Sequence, residues 1–251
     1  MEQQKIEQLT SLLKRLNSGE SPVIVRQEAM DFLATVNAAD LSAAEQKLID
    51  AGLAPEDLRH LCSAHMEMMS GELDKMKAGL PEGHVIHTLV CEHDMILGFL
   101  DKLEHTNSAI QKMSAYDGGR EEFALLKHIA EHLVGAEPHH KREEDVLFPE
   151  LEERGVSGPP HVMRMEHTEL RARKEEIKKL AENAAKIAFA DFKKRLNTAS
   201  KFIIMTLRDH IFKENNILYP TALQVIDNNK TWDDMKKKCD KIGYCCFTPK
   251  R

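Results

Sequence analysis

Two segments of the chain repeat one another in register, and each places a histidine and a glutamate on one helical face. They are residues 139–149 and residues 210–220, and each opens on His and closes on an aliphatic–aromatic–Pro run. In each segment a glutamate, Glu143 or Glu214, follows the opening His by four residues, which is about one helical turn. One imidazole nitrogen and one carboxylate per segment therefore face the same way, and a pair of such segments indicates a two-metal site.

Two further histidines extend this set. Four amphipathic segments follow residue 84, and each carries one His on its apolar stripe, namely His93, His139, His167 and His210. In a four-helix bundle the apolar stripes face a common axis. We therefore expect four imidazoles and two carboxylates to meet in the core.

The cost of burial decides between a metal site and ordinary core histidines. Any one of these histidines, taken alone, is well explained as a core residue satisfied by a nearby hydrogen bond. Burying two uncompensated carboxylates, however, costs several kcal/mol each, against a typical domain stability of about 5–15 kcal/mol. Metal ions remove that cost, because ionised carboxylates and neutral imidazoles are their normal ligands.

The donor types favour particular metals. Nitrogen and oxygen donors without thiolate suit iron, with manganese as the alternative, and are less typical of structural zinc. Six protein donors are too many for one tetrahedral ion. Shared between two ions, with Glu143 and Glu214 bridging and an added oxide or hydroxide bridge, they give about five contacts per ion.

The sequence offers two His–Glu pairs on the second helix of the bundle, and the choice between them stays open. His140 and Glu144 have the same spacing as His139 and Glu143, shifted by about 100° around the helix. The alignment of the two Pro residues favours the first pair, so we expect the second pair to face solvent or to lie behind the ligands.

Two histidines near residue 84 are candidate additional donors. His84 and His87 lie two to three turns before His93, too far along a straight helix to share its ions. His87 could reach an ion if the helix start bends. A capping or surface role is the alternative for both.

Composition restricts the class of protein. The chain has 251 residues, a net charge of −6, 42% apolar residues and few aromatics. No Lys/Arg-rich face dominates, which argues against a nucleic-acid partner. No apolar run approaches 18 residues and the N-terminal residues lack an apolar signal region, so we expect a cytoplasmic protein with no membrane span. Five scattered cysteines do not suggest a disulfide framework.

The pattern of apolar residues predicts an all-α protein in three parts. Residues 1–75 read as a small helical domain, 84–227 as an up-down-up-down four-helix bundle, and 228–251 as a tail with a short helix. The bundle helices are predicted to begin near residues 84, 121 and 161, with the last boundary poorly marked around 181–190. The vicinal cysteines Cys245 and Cys246 fit either a structural or a redox role.

Four motifs in the bundle resemble the hemerythrin-like, or HHE cation-binding, family. They are Glu92-His93-Asp94, residues 139–149, Met165 to Leu170, and residues 210–220. The resemblance implies a non-heme di-iron centre in an antiparallel four-helix bundle. Residues 1–75 are similar to a helical domain of unknown function that often precedes such a bundle, and residues 242–249 fit the same subgroup.

One departure from the family bears on function. Oxygen-carrying members have a second His one turn after the third-helix His, where this chain has Arg171. The resemblance therefore implies a protein that binds or reduces dioxygen, peroxide or nitric oxide, in stress response or repair of iron–sulfur centres. A protein electron donor or an iron–sulfur client is the expected partner. A sensor without turnover, or an iron store or donor, is the alternative, and whether the chain is an enzyme stays open.

Overall fold

The described part of the chain is mostly α-helical. The structure is a computed structural model that describes residues 2–17, 32, 36, 38–52 and 79–249, and these residues form no strand. The all-α prediction is thus confirmed. Much of the predicted N-terminal domain, including residues 18–31 and 53–75, lies outside the described residues.

The described helices are numbered here in chain order. They are α1 (Glu2–Asn17), α2 (Ala38–Asp50), α3 (Val85–Gln111), α4 (Glu121–Val134), α5 (Glu137–Arg142), α6 (Phe148–Glu152), α7 (Gly158–Glu182), α8 (Phe189–Lys213), α9 (Tyr219–Val225) and α10 (Asn229–Ile242). Two π-helical segments, Glu143–Leu147 and Glu214–Leu218, join α5 to α6 and α8 to α9.

Four rods form the bundle. They are α3, the α4–α6 run, α7 and the α8–α9 run. Helix α3 packs against α4 and α8, and α7 packs against the same two helices. Short connections between consecutive neighbours make the rods alternate in direction, which is the up-down-up-down arrangement.

The second rod is less regular than its apolar stripe predicts. Sequence periodicity predicts one helix over 121–153, but α4 ends at Val134 and α5 restarts at Glu137 with Pro138 in its first turn. Each π-helical segment begins at a glutamate of the repeat, and the next proline follows it closely. Proline has no backbone N–H to donate, and its ring clashes with the preceding helical turn. A π-helical turn before the proline accommodates the missing hydrogen bond.

Two apolar clusters fill the bundle on either side of a polar layer. One contains Leu100, Leu126 and Phe192, and the other contains Ile86, Leu147 and Tyr219. The buried histidines and glutamates of the repeat lie between the two clusters along the chain. This layer is therefore held from both sides by close-packed side chains, which fix its rotamers.

The remaining described elements cover one end of the bundle. Helix α1 packs on α2, which in turn contacts the second π segment and α9. Helix α10 crosses the start of α3 and the α5 region. None of the described helices is long and apolar enough to span a bilayer.

Candidate metal centre

The four histidines of the bundle stripes meet in two pairs. The Nε2 atoms of His93 and His139 are 3.0 Å apart, and those of His167 and His210 are 2.9 Å apart. All four side chains are almost fully buried. Two nitrogens bound at about 2.1 Å to one metal at a right angle are separated by about 3 Å, so each pair has the spacing of a shared ion.

The two repeat glutamates lie between these pairs. Glu214 Oε2 is 3.2 Å from His93 Nε2, and Glu214 Oε1 is 2.9 Å from His210 Nε2. Glu143 Oε2 is 3.5 Å from the Nε2 atoms of both His139 and His167. Glu214 therefore directs one oxygen toward each histidine pair, whereas Glu143 places a single oxygen between the two pairs.

Three oxygens of these carboxylates have no hydrogen-bond partner among the described residues. They are Glu143 Oε2 and both oxygens of Glu214. The facing histidine nitrogens present lone pairs as well, because their Nδ1 atoms are used elsewhere. A fully buried set of lone pairs without donors is costly. Cations between the donors remove the cost, so the residues suit a pair of metal ions.

Each histidine is oriented by an oxygen on another helix. His139 Nδ1 donates to Glu92 at 2.7 Å and His210 Nδ1 donates to Glu166 at 2.8 Å. His167 Nδ1 donates to Glu144 at 2.7 Å and His93 Nδ1 donates to Asn215 at 2.8 Å, as two further contacts of the same kind. These bonds fix the tautomer in which Nε2 is free to bind a metal.

The three orienting glutamates are themselves neutralised. Arg142 donates to Glu92, Lys213 donates to Glu166, and Arg171 donates to Glu144. Burial raises the pKa of Glu92, but hydrogen bonds and charge from His139 and Arg142 outweigh it and lower that pKa to about 2.

The same balance holds for the other two orienting glutamates. Hydrogen bonding and charge outweigh burial and lower the pKa of Glu166, and likewise that of Glu144, to about 2. The orienting carboxylates are thus ionised at neutral pH.

The two bridging candidates have opposite ionisation tendencies. Burial and the nearby Glu214 charge raise the pKa of Glu143 well above its usual range. Burial also raises the pKa of Glu214, but the electrostatic attraction of the facing imidazoles, His210 first, outweighs it and lowers that pKa well below the usual range. A metal ion between the two carboxyl groups would favour the ionised form of both.

Tyr219 is one of the buried residues of the site that the sequence did not predict. Tyr219 donates from its hydroxyl to Glu143 Oε1 at 2.6 Å, and its ring stacks on His93 with centroids 5.5 Å apart. In the sequence Tyr219 stands out only as the aromatic residue before the Pro of the second repeat, a position that does not by itself indicate a contact with Glu143. Glu92 and Glu166 had a signal too, since each immediately precedes a stripe histidine.

The structure brings His139 and Glu143, rather than His140 and Glu144, together with the other donors. His139 and Glu143 face the other donors, whereas Glu144 lies behind His167. Of the two positions that the sequence suggests for His140, the solvent-facing one is wrong. His140 is buried, stacks on His167 at 4.1 Å and contacts Lys174 Nζ at 3.2 Å. Burial lowers the pKa of Lys174 to about 8.

The other candidates do not join the site. His84 caps the start of α3 and its ring lies 4.6 Å from Trp232. His87 contacts Cys91 on the same helix at 3.8 Å. Neither belongs to the groups of donors that the described residues bring together. Cys245 is buried and Cys246 is exposed, and both are free thiols.

Comparison with known proteins gives matches for both parts of the chain. Residues 84–222 match the hemerythrin HHE cation binding domain, and residues 9–75 match a family of unknown function (DUF438). The resemblance drawn from the motifs is confirmed.

Curated relatives carry a functional name. The chain is 33% identical over 106 residues to a protein of Yersinia pseudotuberculosis serotype IB (strain PB1/+), named iron-sulfur cluster repair protein YtfE. It is 32% identical over 106 residues to a protein of the same name from Yersinia pestis (strain Pestoides F). Each match covers 40% of this chain and 44% of the relative, so less than half the length of these relatives is matched.

Proposed function

Because the chain belongs to the hemerythrin HHE cation-binding family, we propose that it holds two iron ions between four histidines and two glutamates. We further propose that it binds or reduces dioxygen, peroxide or nitric oxide in a stress response that repairs iron–sulfur centres. The proposed ligands are His93, His139, Glu143, His167, His210 and Glu214. The observation that carries the proposal is the set of buried carboxylate oxygens that accept no hydrogen bond and face paired imidazole nitrogens.

The donor set supports iron more than other metals. Four imidazoles and two carboxylates without thiolate are typical of iron or manganese sites. Iron, when bound, supplies redox chemistry toward small oxidants and nitric oxide. The name of the curated relatives supports iron–sulfur repair as the setting of that chemistry.

The protein's own residues prepare the site in three ways. Glu92, Glu166 and Glu144 hold three histidines with Nε2 turned inward. The apolar clusters above and below exclude water, which strengthens every electrostatic interaction within the layer. Tyr219 keeps a proton at its hydroxyl oxygen beside Glu143, because burial and the nearby carboxylates raise its pKa well above the usual range.

Metal analysis of the full chain tests the ligand assignment. We expect about two irons per chain in protein produced with ample iron, and fewer than one in Glu214→Gln, which keeps the shape and removes the charge. Glu131→Gln is the matched control, because Glu131 is exposed on α4. Equal iron in both variants would contradict the assignment.

A second experiment tests the activity. The iron-loaded, reduced chain is mixed with nitric oxide or with hydrogen peroxide, together with a chemical reductant, and consumption is followed over many equivalents. We expect multiple turnovers, and recovery of a nitric-oxide-damaged iron–sulfur enzyme, from wild type but not from Glu214→Gln. Uptake that stops at one equivalent per centre would contradict turnover and support the sensor alternative.

A further inference from the structure

One buried cation of the bundle lacks the carboxylate partner that the others have. Among the described residues, the buried lysine and arginine side chains are Arg142, Lys174 and Lys213. Arg142 and Lys213 each donate to a glutamate and form a charge-neutral pair with it. Lys174 instead donates to a ring nitrogen, His140 Nε2, at 3.2 Å. Because a buried charge without an opposite charge is costly, Lys174 is the least compensated of the three.

The ring that accepts from Lys174 lies against the proposed metal ligands. His140 stacks on His167 with centroids 4.1 Å apart and planes inclined by 12°. The centroid of the His140 ring is 5.9 Å from that of His139 and 6.4 Å from that of His210. A single imidazole ring therefore separates Lys174 from the donor layer.

The groups that face Lys174 give it little fixed negative charge. Glu137 on α5 is half-buried and is already paired with Arg171 of α7. The Cys245 thiol on the tail stays protonated, because burial raises its pKa to about 12. The other anion that acts on Lys174 is Glu214, one of the proposed bridging ligands. The charge of the donor layer therefore acts directly on Lys174.

Burial makes the Lys174 amine titrate close to neutral pH. Desolvation, opposed by the Glu137 charge, lowers its pKa from the usual 10.5 to about 8. Metal ions in the donor layer would lower that pKa further, and ferric ions more than ferrous ions, because like charges repel strongly in a dry interior. By thermodynamic linkage, a group that loses a proton on oxidation regains it on reduction.

We propose that Lys174 takes up a proton when an iron of the neighbouring centre is reduced, and so balances one added electron with one ammonium ion. One electron enters from a one-electron donor, one ferric ion becomes ferrous, and one solvent proton converts the Lys174 amine to an ammonium ion. The total charge of the centre and Lys174 rises by none in this step. The inference rests on the proposed function, since it concerns the two iron ions that the centre is proposed to hold.

Midpoint potentials of the iron-loaded full chain test this coupling. Optical redox titrations with mediator dyes measure the potential from about pH 6 to about pH 9, on both sides of neutrality. We expect the wild-type potential to fall as pH rises, because a deprotonated Lys174 no longer balances the added electron. Lys179→Met is the matched control, since Lys179 is exposed on the same helix, and it should follow the wild-type profile.

Two substitutions of Lys174 give the limits of the wild-type profile. Lys174→Met removes the charge at every pH, and Lys174→Arg keeps a positive charge at every pH. We expect the Arg variant to have the more positive potential throughout. Wild type should lie near the Arg variant at the low end of the pH range and near the Met variant at the high end. The other titrating groups are common to the three proteins, so they do not affect the comparison.

The metal-free chain provides a test that needs no iron. Below about pH 8 the folded chain carries the buried ammonium ion, and its cost disappears as pH rises from about 8 toward 10.5, because the unfolded chain then binds more protons than the folded chain. The urea concentration at half-unfolding of wild type should therefore rise over this range relative to Lys174→Met or Lys174→Arg. Parallel curves would show that Lys174 is not held as a destabilised cation, and would overturn the inference.

The outcomes separate the inference from the proposed function. With two irons bound, a wild-type potential that does not change with pH would overturn the inference and leave the di-iron assignment intact, and this result does not require any variant to fold. Parallel pH profiles of wild type and either Lys174 variant would have the same consequence. Wild-type protein without two irons would instead overturn the proposed function itself.

Discussion

Oxygens from neighbouring rods decide how each histidine of the centre is used. Glu92 is one of them, and it accepts from His139, Arg142 and Thr248 in the core. Without it, His139 can rotate or change tautomer. Orienting groups of this kind affect metal affinity strongly even though they do not touch the ion.

Glu92→Gln therefore provides a test at the level of one atom. We expect the variant to fold and to bind iron about ten- to a hundredfold more weakly, because an amide accepts less strongly from the imidazole. Competition with a chelator measures the change. Glu104→Gln, at an exposed glutamate of α3 that pairs with Arg208, serves as the control, and equal affinities in the two variants would contradict this role.

Acid stability of the metal-free chain tests the same residue by another route. The folded pKa of Glu92 is about 2, below the usual 4.5, so its stabilisation is present above about pH 4.5 and is lost as pH falls toward 2. The loss is on the order of 3 kcal/mol. Urea unfolding of Glu92→Gln should show a shallower fall over that window than wild type, and parallel curves would count against the ion pair.

The repeated spacing predicted four of the inward donors, because helical periodicity places residues four apart on one face. The apolar stripes predicted the other two, His93 and His167. The sequence did not predict the contacts of Tyr219 and Asn215, or which histidine Glu144 lies behind. Their contacts with Glu143, His167 and His93 join residues far apart in the chain. Such contacts depend on the relative rotation of two rods, which no local pattern contains.

Elements position the donors through their interruptions as much as through their regular turns. The π segments start at Glu143 and Glu214, with the amide of Phe148 bonding back to the Glu143 carbonyl and that of Tyr219 to the Glu214 carbonyl. The 3.6-residue period predicted continuous helices there. The prolines at 149 and 220 were the local signal for a break, because a proline removes a helical hydrogen bond.

Replacing two glycines with alanine should change the stability of the chain in opposite directions. Gly155, between α6 and α7, has φ of +82°, and alanine there is strained, so Gly155→Ala should destabilise the chain by about 1 kcal/mol. Gly98 lies within α3 with open space around a Cβ, so Gly98→Ala should stabilise by up to about 1 kcal/mol. Thermal unfolding of both metal-free variants measures this, and shifts of the same sign would refute it.

At the scale of the whole molecule, the C-terminal tail closes one side of the centre. Thr248 donates to Glu92, Phe247 packs edge-on against Phe99 with centroids 5.3 Å apart, and the Tyr244 ring lies 4.7 Å from the Arg142 guanidinium. The sequence predicted the bundle and the tail as separate parts. It did not predict the bond between Thr248 and Glu92, because these residues are separated by nearly the whole bundle in sequence.

Removing the Thr248 hydroxyl tests this closure. Thr248→Val keeps the shape of the side chain, and we expect iron to pass to a chelator about tenfold faster because Glu92 loses a donor. Thr198→Val, at an exposed position of α8, should release iron at the wild-type rate. Release rates that agree among all three proteins would show that the tail does not support the centre.

The most direct measurement of the central claim is iron-edge anomalous diffraction from crystals of the iron-loaded full chain. We predict two peaks of similar height about 3.5 Å apart, one beside the Nε2 atoms of His93 and His139 and one beside those of His167 and His210, with Glu214 between them. A single peak, or peaks that lie away from these six side chains, would contradict the account.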